Sequence, residues 1–164
     1  MNEDVRLQAL ESLRQSLQTG RLAPSYLVQG SPRGDGAGLV ADFLADLFAS
    51  DGADREQVAA RLADRSWPDA HWVEPESKSR MIRVEEQIRP LIQRLSQTSF
   101  AGGWRAGVIL WAERLNDQSA NAFLKTLEEP PERCILFLVT ESPSRLLPTI
   151  RSRCRMIRLP EPEG

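Results

Sequence analysis

Apolar residues along this chain follow two different spacings. Short apolar-rich runs fall at residues 26–29, 72–74, 107–111, 135–139 and 155–159, each bounded by polar, glycine or proline residues. Between them, apolar residues recur every three or four positions: Leu7, Leu10, Leu13 and Leu17, then Val40, Phe43, Leu44, Leu47 and Phe48. The same spacing continues with Val58 and Leu62, with Val84, Ile88, Leu91, Ile92 and Leu95, and with Ala120, Phe123, Leu124 and Leu127. Short continuous runs suit strands covered on both faces, whereas stripes of period 3.6 suit helices that bury one side. Their alternation predicts an α/β fold: a three-layer sandwich around a mainly parallel five-stranded sheet.

The punctuation agrees with this reading. Gly20 ends the first helix, and Asn116 and Asp117 are good caps for a helix over residues 116–129 that Pro130 and Pro131 stop. Pro90 interrupts the stripe of residues 84–95. A proline inside a helix costs about 3 kcal/mol outside the first turn, so that helix either starts late or is kinked. Glu128 and Glu129 put two negative charges at the negative end of a helix dipole, at a cost of about 0.3–1 kcal/mol each if uncompensated. Such a local violation marks a functional site or a charged partner, with two exposed, screened glutamates as the alternative.

The 164 residues are enough for one domain with a sizeable core. A net charge of −2 gives no overall pull toward nucleic acid, and no basic stripe interleaved with aromatics suggests direct DNA reading. Lys78 and Lys125 are the only lysines, so nearly all positive charge is guanidinium, suited to bidentate contacts with phosphate or carboxylate. Arg145, Arg151, Arg153, Arg155 and Arg158 crowd one end, as an interaction surface or as ordinary solvated arginines. Two cysteines, Cys134 and Cys154, cannot assemble a Cys-rich zinc site, and His71, the only histidine, has no partner at a ligand or catalytic spacing; no metal is expected. With neither an apolar run of about 18 residues nor a signal peptide, no membrane association and a cytoplasmic location are expected.

Residues 30–38, Gly-Ser-Pro-Arg-Gly-Asp-Gly-Ala-Gly, lie between an apolar strand and an amphipathic helix, the setting of a phosphate-binding P-loop. Aligned on Gly34 and Gly36, the position of the phosphate-binding lysine holds Ala37, and the magnesium-binding hydroxyl position holds Gly38. Backbone amides and the helix dipole can hold an anion weakly, but they cannot organise a metal–nucleotide complex. A glycine turn kept for its shape is the simpler reading, and no cofactor is expected.

Two longer stretches are more specific. Asn121-Ala122-Phe123-Leu124-Lys125-Thr126-Leu127-Glu128-Glu129-Pro130-Pro131, followed by Pro143-Ser144-Arg145-Leu146-Leu147-Pro148-Thr149-Ile150-Arg151-Ser152-Arg153-Cys154, resembles the nucleotide-binding domain of bacterial DNA polymerase III clamp-loader subunits of the delta-prime type. The resemblance covers residues 5–160 and implies a P-loop NTPase core of the RecA-like AAA+ kind, as a single domain over residues 1–164. The family continues beyond Pro160-Glu161-Pro162 into a helical lid and a collar. The four-cysteine zinc module of many relatives has no counterpart after Ser50, and the family's His-Pro-Asp step is Trp67-Pro68-Asp69 here. In an active ATPase of this kind the strand over 107–111 would end in two carboxylates; those positions hold Leu110 and Trp111. Glu113 falls two residues too late, in the turn. Thr140 occupies the sensor 1 position.

The resemblance further implies that Ser152-Arg153-Cys154 carries an arginine finger, Arg153, which reaches into the ATP site of a neighbouring subunit. It implies tau- or gamma-type ATPase and delta subunits as partners, and the sliding clamp and primed DNA through the assembly. The expected function is therefore a non-hydrolysing, delta-prime-like subunit of the DNA polymerase III clamp loader. Its alternatives are an ATPase with a displaced site and Glu113 as base, an AAA+-fold scaffold outside replication and, for Arg153 alone, a merely solvated side chain.

Overall fold

Ser25–Gln29 forms β1, the pivot of the sheet in the computed structural model, which describes residues 2–99 and 102–160. β1 pairs in parallel with β4 (Cys134–Thr140) on one side and β5 (Arg155–Arg158) on the other. β3 (Arg105–Leu110) lies beyond β4, and β2 (Ala70–Val73) forms the far edge, giving the order β2-β3-β4-β1-β5 with every pairing parallel. Parallel neighbours require crossovers, which run through helices on both faces.

The pleat sorts alternate residues to opposite sides. Tyr26, Val28, Val108, Phe137 and Val139 face α1 (Asn2–Gln18), α2 (Asp35–Ala49) and α3 (Arg55–Ala63), packing with Leu13, Phe43, Leu47 and Val58. Tyr26 stacks on Phe137 with ring centroids 5.5 Å apart, and Phe43 meets the same ring edge-on at 6.0 Å. Leu27, Ile109, Leu136 and Leu138 face α4 (Arg89–Leu95), α5 (Asp117–Glu128) and α6 (Pro148–Arg151), packing with Leu91, Phe123, Leu127 and Ile150. Burial on both faces explains why β4 is apolar from Ile135 to Val139.

Several boundaries differ from the sequence reading. β3 begins at Arg105 and ends at Leu110, so Trp111 lies beyond the strand; its φ of 55° turns the chain into a 3-10 turn over Ala112–Arg114. β2 starts two residues before the apolar-rich run at 72–74 and ends one residue before its end, and β5 stops at Arg158, although Leu159 N–H still donates to the Gln29 carbonyl at 2.9 Å. At Pro90 the helix starts late. A wide π-turn over Val84–Ile88 precedes it, and α4 opens at Arg89 with Pro90 in the first turn, where a missing N–H breaks no helical bond. Ala101, Glu161 and Pro162 lie outside the described residues. Among the described residues no helix is long and apolar enough to cross a membrane.

Candidate functional site

The loop that leaves β1 enters α2 at Asp35, beside the carboxyl end of β4, where Gly30 N–H donates to the Thr140 carbonyl at 2.9 Å. β1 lies where the strand order reverses, and in open α/β sheets ligands bind outside the carboxyl ends at such a point. Gly36 is buried, and a Cβ there would stand 2.7 Å from Val139 Cγ1 and 2.8 Å from the Ser31 carbonyl, so only glycine fits. The Ser31 carbonyl accepts from the N–H groups of Gly34, Gly36 and Ala37 at 3.2, 3.0 and 3.2 Å. Arg33 N–H donates to Ser31 Oγ at 3.3 Å, and Gly38 N–H to the Gly34 carbonyl at 2.8 Å. These amides close the loop on itself rather than converging on an empty cradle. At Gly38, a Cβ would lie 3.1 Å from Nη2 of Arg6 on α1, whose guanidinium is held by Asp42.

At the ends of the next strands, Leu110 is fully buried in the sheet. Trp111 turns its indole under Arg33, whose guanidinium carbon lies 5.5 Å from the ring centroid, a cation–π contact. Glu113 sits in the 3-10 turn. Thr140, completely buried, donates from Oγ1 to Glu113 Oε1 at 2.7 Å and accepts from Ser142 N–H at 3.0 Å. Ser31, Arg33, Trp111, Arg114 and Glu141 border an open cleft of about 620 Å³ that carries both signs of charge. Among the described residues no group of three His, Cys, Asp or Glu side chains could hold a metal ion. His71 is held toward its neutral form by burial and by the nearby Arg94 charge, and Asp69 offsets this only in part.

Ser152, Arg153 and Cys154 connect α6 to β5. Arg153 Nη1 donates to the Thr149 carbonyl at 2.7 Å and to Ser152 Oγ at 3.3 Å, while Nη2 pairs with Glu128 Oε1 at 2.7 Å. The Arg153 side chain is 33% exposed, neither free in solvent nor sealed in the interior. Burial pushes the Cys154 thiol up to about 12, which disfavours the reactive thiolate. Because every strand is parallel, Arg153 stands at the amino ends of β1 and β5 and residues 30–38 at their carboxyl ends. Four paired residues separate the two edges, about 13 Å at roughly 3.3 Å per residue.

The residues singled out from the sequence thus fall into two groups. Gly34, Gly36, Ala37, Gly38, Trp111, Glu113 and Thr140 gather at one edge, and Ser152, Arg153 and Cys154 occupy the other, without contact between them. Sequence reasoning missed the Ser31 carbonyl, because a backbone acceptor carries no residue signature, and the Arg33–Trp111 stack and the Thr140–Glu113 bond, because their partners are distant in the chain and no spacing links them. The misplaced charge of Glu128 was the one available signal, and its partner proves to be Arg153.

A glycine turn at the end of β1, five parallel strands in this order and helices on both faces define the P-loop NTPase fold of AAA+ proteins. The solved structure of a DNA polymerase III gamma subunit-related protein from Thermotoga maritima matches it with a TM-score of 0.64 at 26% identity, covering 94% of this chain and 46% of that one. The profile of the family described as DNA polymerase III, delta subunit, matches residues 6–163, and the chain belongs to that family. DNA polymerase III subunit delta' of Pseudomonas aeruginosa is 40% identical over 146 residues, which cover 85% of this chain and 44% of the relative. The Bacillus subtilis subunit delta' is 31% identical over 162 residues, covering 96% of this chain and 48% of the relative. The chain thus spans less than half the length of these curated relatives.

Proposed function

We propose that this chain is the AAA+ domain of a delta-prime-type clamp-loader subunit that does not itself hydrolyse ATP. It offers Arg153 to the ATP site of a neighbouring gamma- or tau-type subunit, with a delta subunit in the same assembly, while a sliding clamp is opened and loaded on primed DNA. The placement of Arg153 carries this reading: a partly exposed guanidinium at the amino edge of the sheet, with its own loop at the carboxyl edge, has no triphosphate of its own to serve. A guanidinium fork suits a γ-phosphate, and arginines supplied in trans are worth about 10³–10⁵ in rate in related phosphoryl transfers. The chain's own loop supports the other half. Ala37 and Gly38 supply neither ammonium nor hydroxyl, the loop amides are satisfied by Ser31 and Gly34, Trp111 replaces a carboxylate, and Glu113 is engaged by Thr140.

The test is a loader reconstituted with the full-length subunit. Arg153→Ala should leave folding and assembly intact and lower clamp-dependent ATP turnover and loading by roughly tenfold or more. The wild-type subunit alone should show no tight magnesium-dependent ATP binding. Unchanged loading by Arg153→Ala would remove the finger; turnover by the subunit alone, abolished by Glu113→Gln, would replace this reading with a displaced active site.

A further inference from the structure

The ion pair between Glu128 and Arg153 bears on how that arginine is made available. A guanidinium grips a phosphate bidentately in one of two ways, end-on through Nη1 and Nη2 or side-on through Nε and Nη2. Nη2 is common to both forks, and Nη2 is the nitrogen that Glu128 Oε1 holds at 2.7 Å. Nη1 is committed to the Thr149 carbonyl at 2.7 Å, a contact that sets the direction of the side chain without opposing an anion. Glu128 is the last residue of α5, where the dipole disfavours a carboxylate, so its charge depends on the Arg153 cation for compensation. A phosphate brought to Arg153 would meet this carboxylate at the shared nitrogen. Nη2 carries two N–H bonds, one on each fork, so Glu128 takes one of them directly and its charge opposes a phosphate approaching on either.

We infer that Glu128 is a latch on Arg153, an intramolecular competitor that must yield or share Nη2 before the guanidinium can take a neighbour's γ-phosphate bidentately. This rests on the finger reading given above. With both side chains partly exposed, at 33% and 47%, the competition is modest. It sets the threshold at which the finger engages and leaves the chemistry to the ATPase subunit. Removing the charge while keeping the shape should therefore favour engagement.

The experiment uses the full-length subunit in a reconstituted loader, titrated with a slowly hydrolysed ATP analogue and magnesium at the site facing Arg153. Glu128→Gln is expected to bind the analogue about 1.5- to 5-fold more tightly than wild type, the range that exposed ion pairs span. The difference should shrink as salt is raised from about 0.05 to 0.5 M, because the competing pair is screened. Glu128→Gln with Arg153→Ala should match Arg153→Ala alone, and the melting temperature of Glu128→Gln should stay near that of wild type. If Glu128→Gln binds equally or more weakly while Arg153→Ala still weakens binding, the latch is overturned and the finger stands. If Arg153→Ala has no effect, both fall.

Discussion

Gly36 and Trp111 show how individual positions at the carboxyl edge are constrained. A methyl group at Gly36 would press on Val139 and on the Ser31 carbonyl, which already accepts three N–H groups, so neither neighbour can retreat without breaking the turn. Gly36→Ala should destabilise the fold by about 1–3 kcal/mol, the usual cost of overpacking, read as a lower denaturant midpoint with an unchanged slope. Trp111 adopts a left-handed backbone with φ 55°, a conformation costly for a bulky residue, and the indole is covered by Arg33. The residue types at 37, 38, 110 and 111 could be read from the sequence once the loop and the strand were registered on the family's motifs. The contacts made around these positions could not, because the Arg33–Trp111 and Thr140–Glu113 contacts join separate turns.

Among the helices, α5 shows how one element organises its neighbours. Asn116 caps it by accepting from Ser119 N–H at 2.8 Å, as its position before the apolar stripe predicts. Ser119 then does something the stripe does not reveal. Completely buried, it donates to the Ile82 carbonyl at 2.6 Å and holds the segment that leads into the π-turn and α4. Ser119→Ala should leave that carbonyl without its partner and cost about 1–3 kcal/mol, and hydrogen exchange should rise over residues 82–88 as well as in the first turn of α5. Pro90 offered two outcomes from sequence, a kink or a late start. The wide turn before Arg89 decided between them, because it delivers the proline into the first turn, where no helical bond is lost.

Across the domain, both cysteines are held protonated by burial, Cys134 up to about 11 and Cys154 up to about 12, against an ordinary value of 9.0. A folded-state value raised in this way contributes stability that is fully present below pH 9 and lost as pH rises toward 11–12. His71 acts in the opposite direction: its lowered folded value means that the unfolded chain binds the proton first, so stability declines as pH falls through the unfolded value of 6.5. Chemical denaturation across pH should therefore show a plateau between about pH 7 and 9, with Cys154→Ser flattening the alkaline limb and both thiols reacting slowly with iodoacetamide at pH 7. Strand and helix identities and the parallel, layered arrangement follow from local periodicity, because burying a face imposes a repeat that survives in the primary structure, and the family likeness follows from the stretches 121–131 and 143–154. The wide separation of the loop from Arg153 and the grip of Glu128 on Nη2 do not. They arise when strands far apart in the chain are set side by side and α5 is packed against α6, and a pairing made across space leaves no interval along the chain to be read.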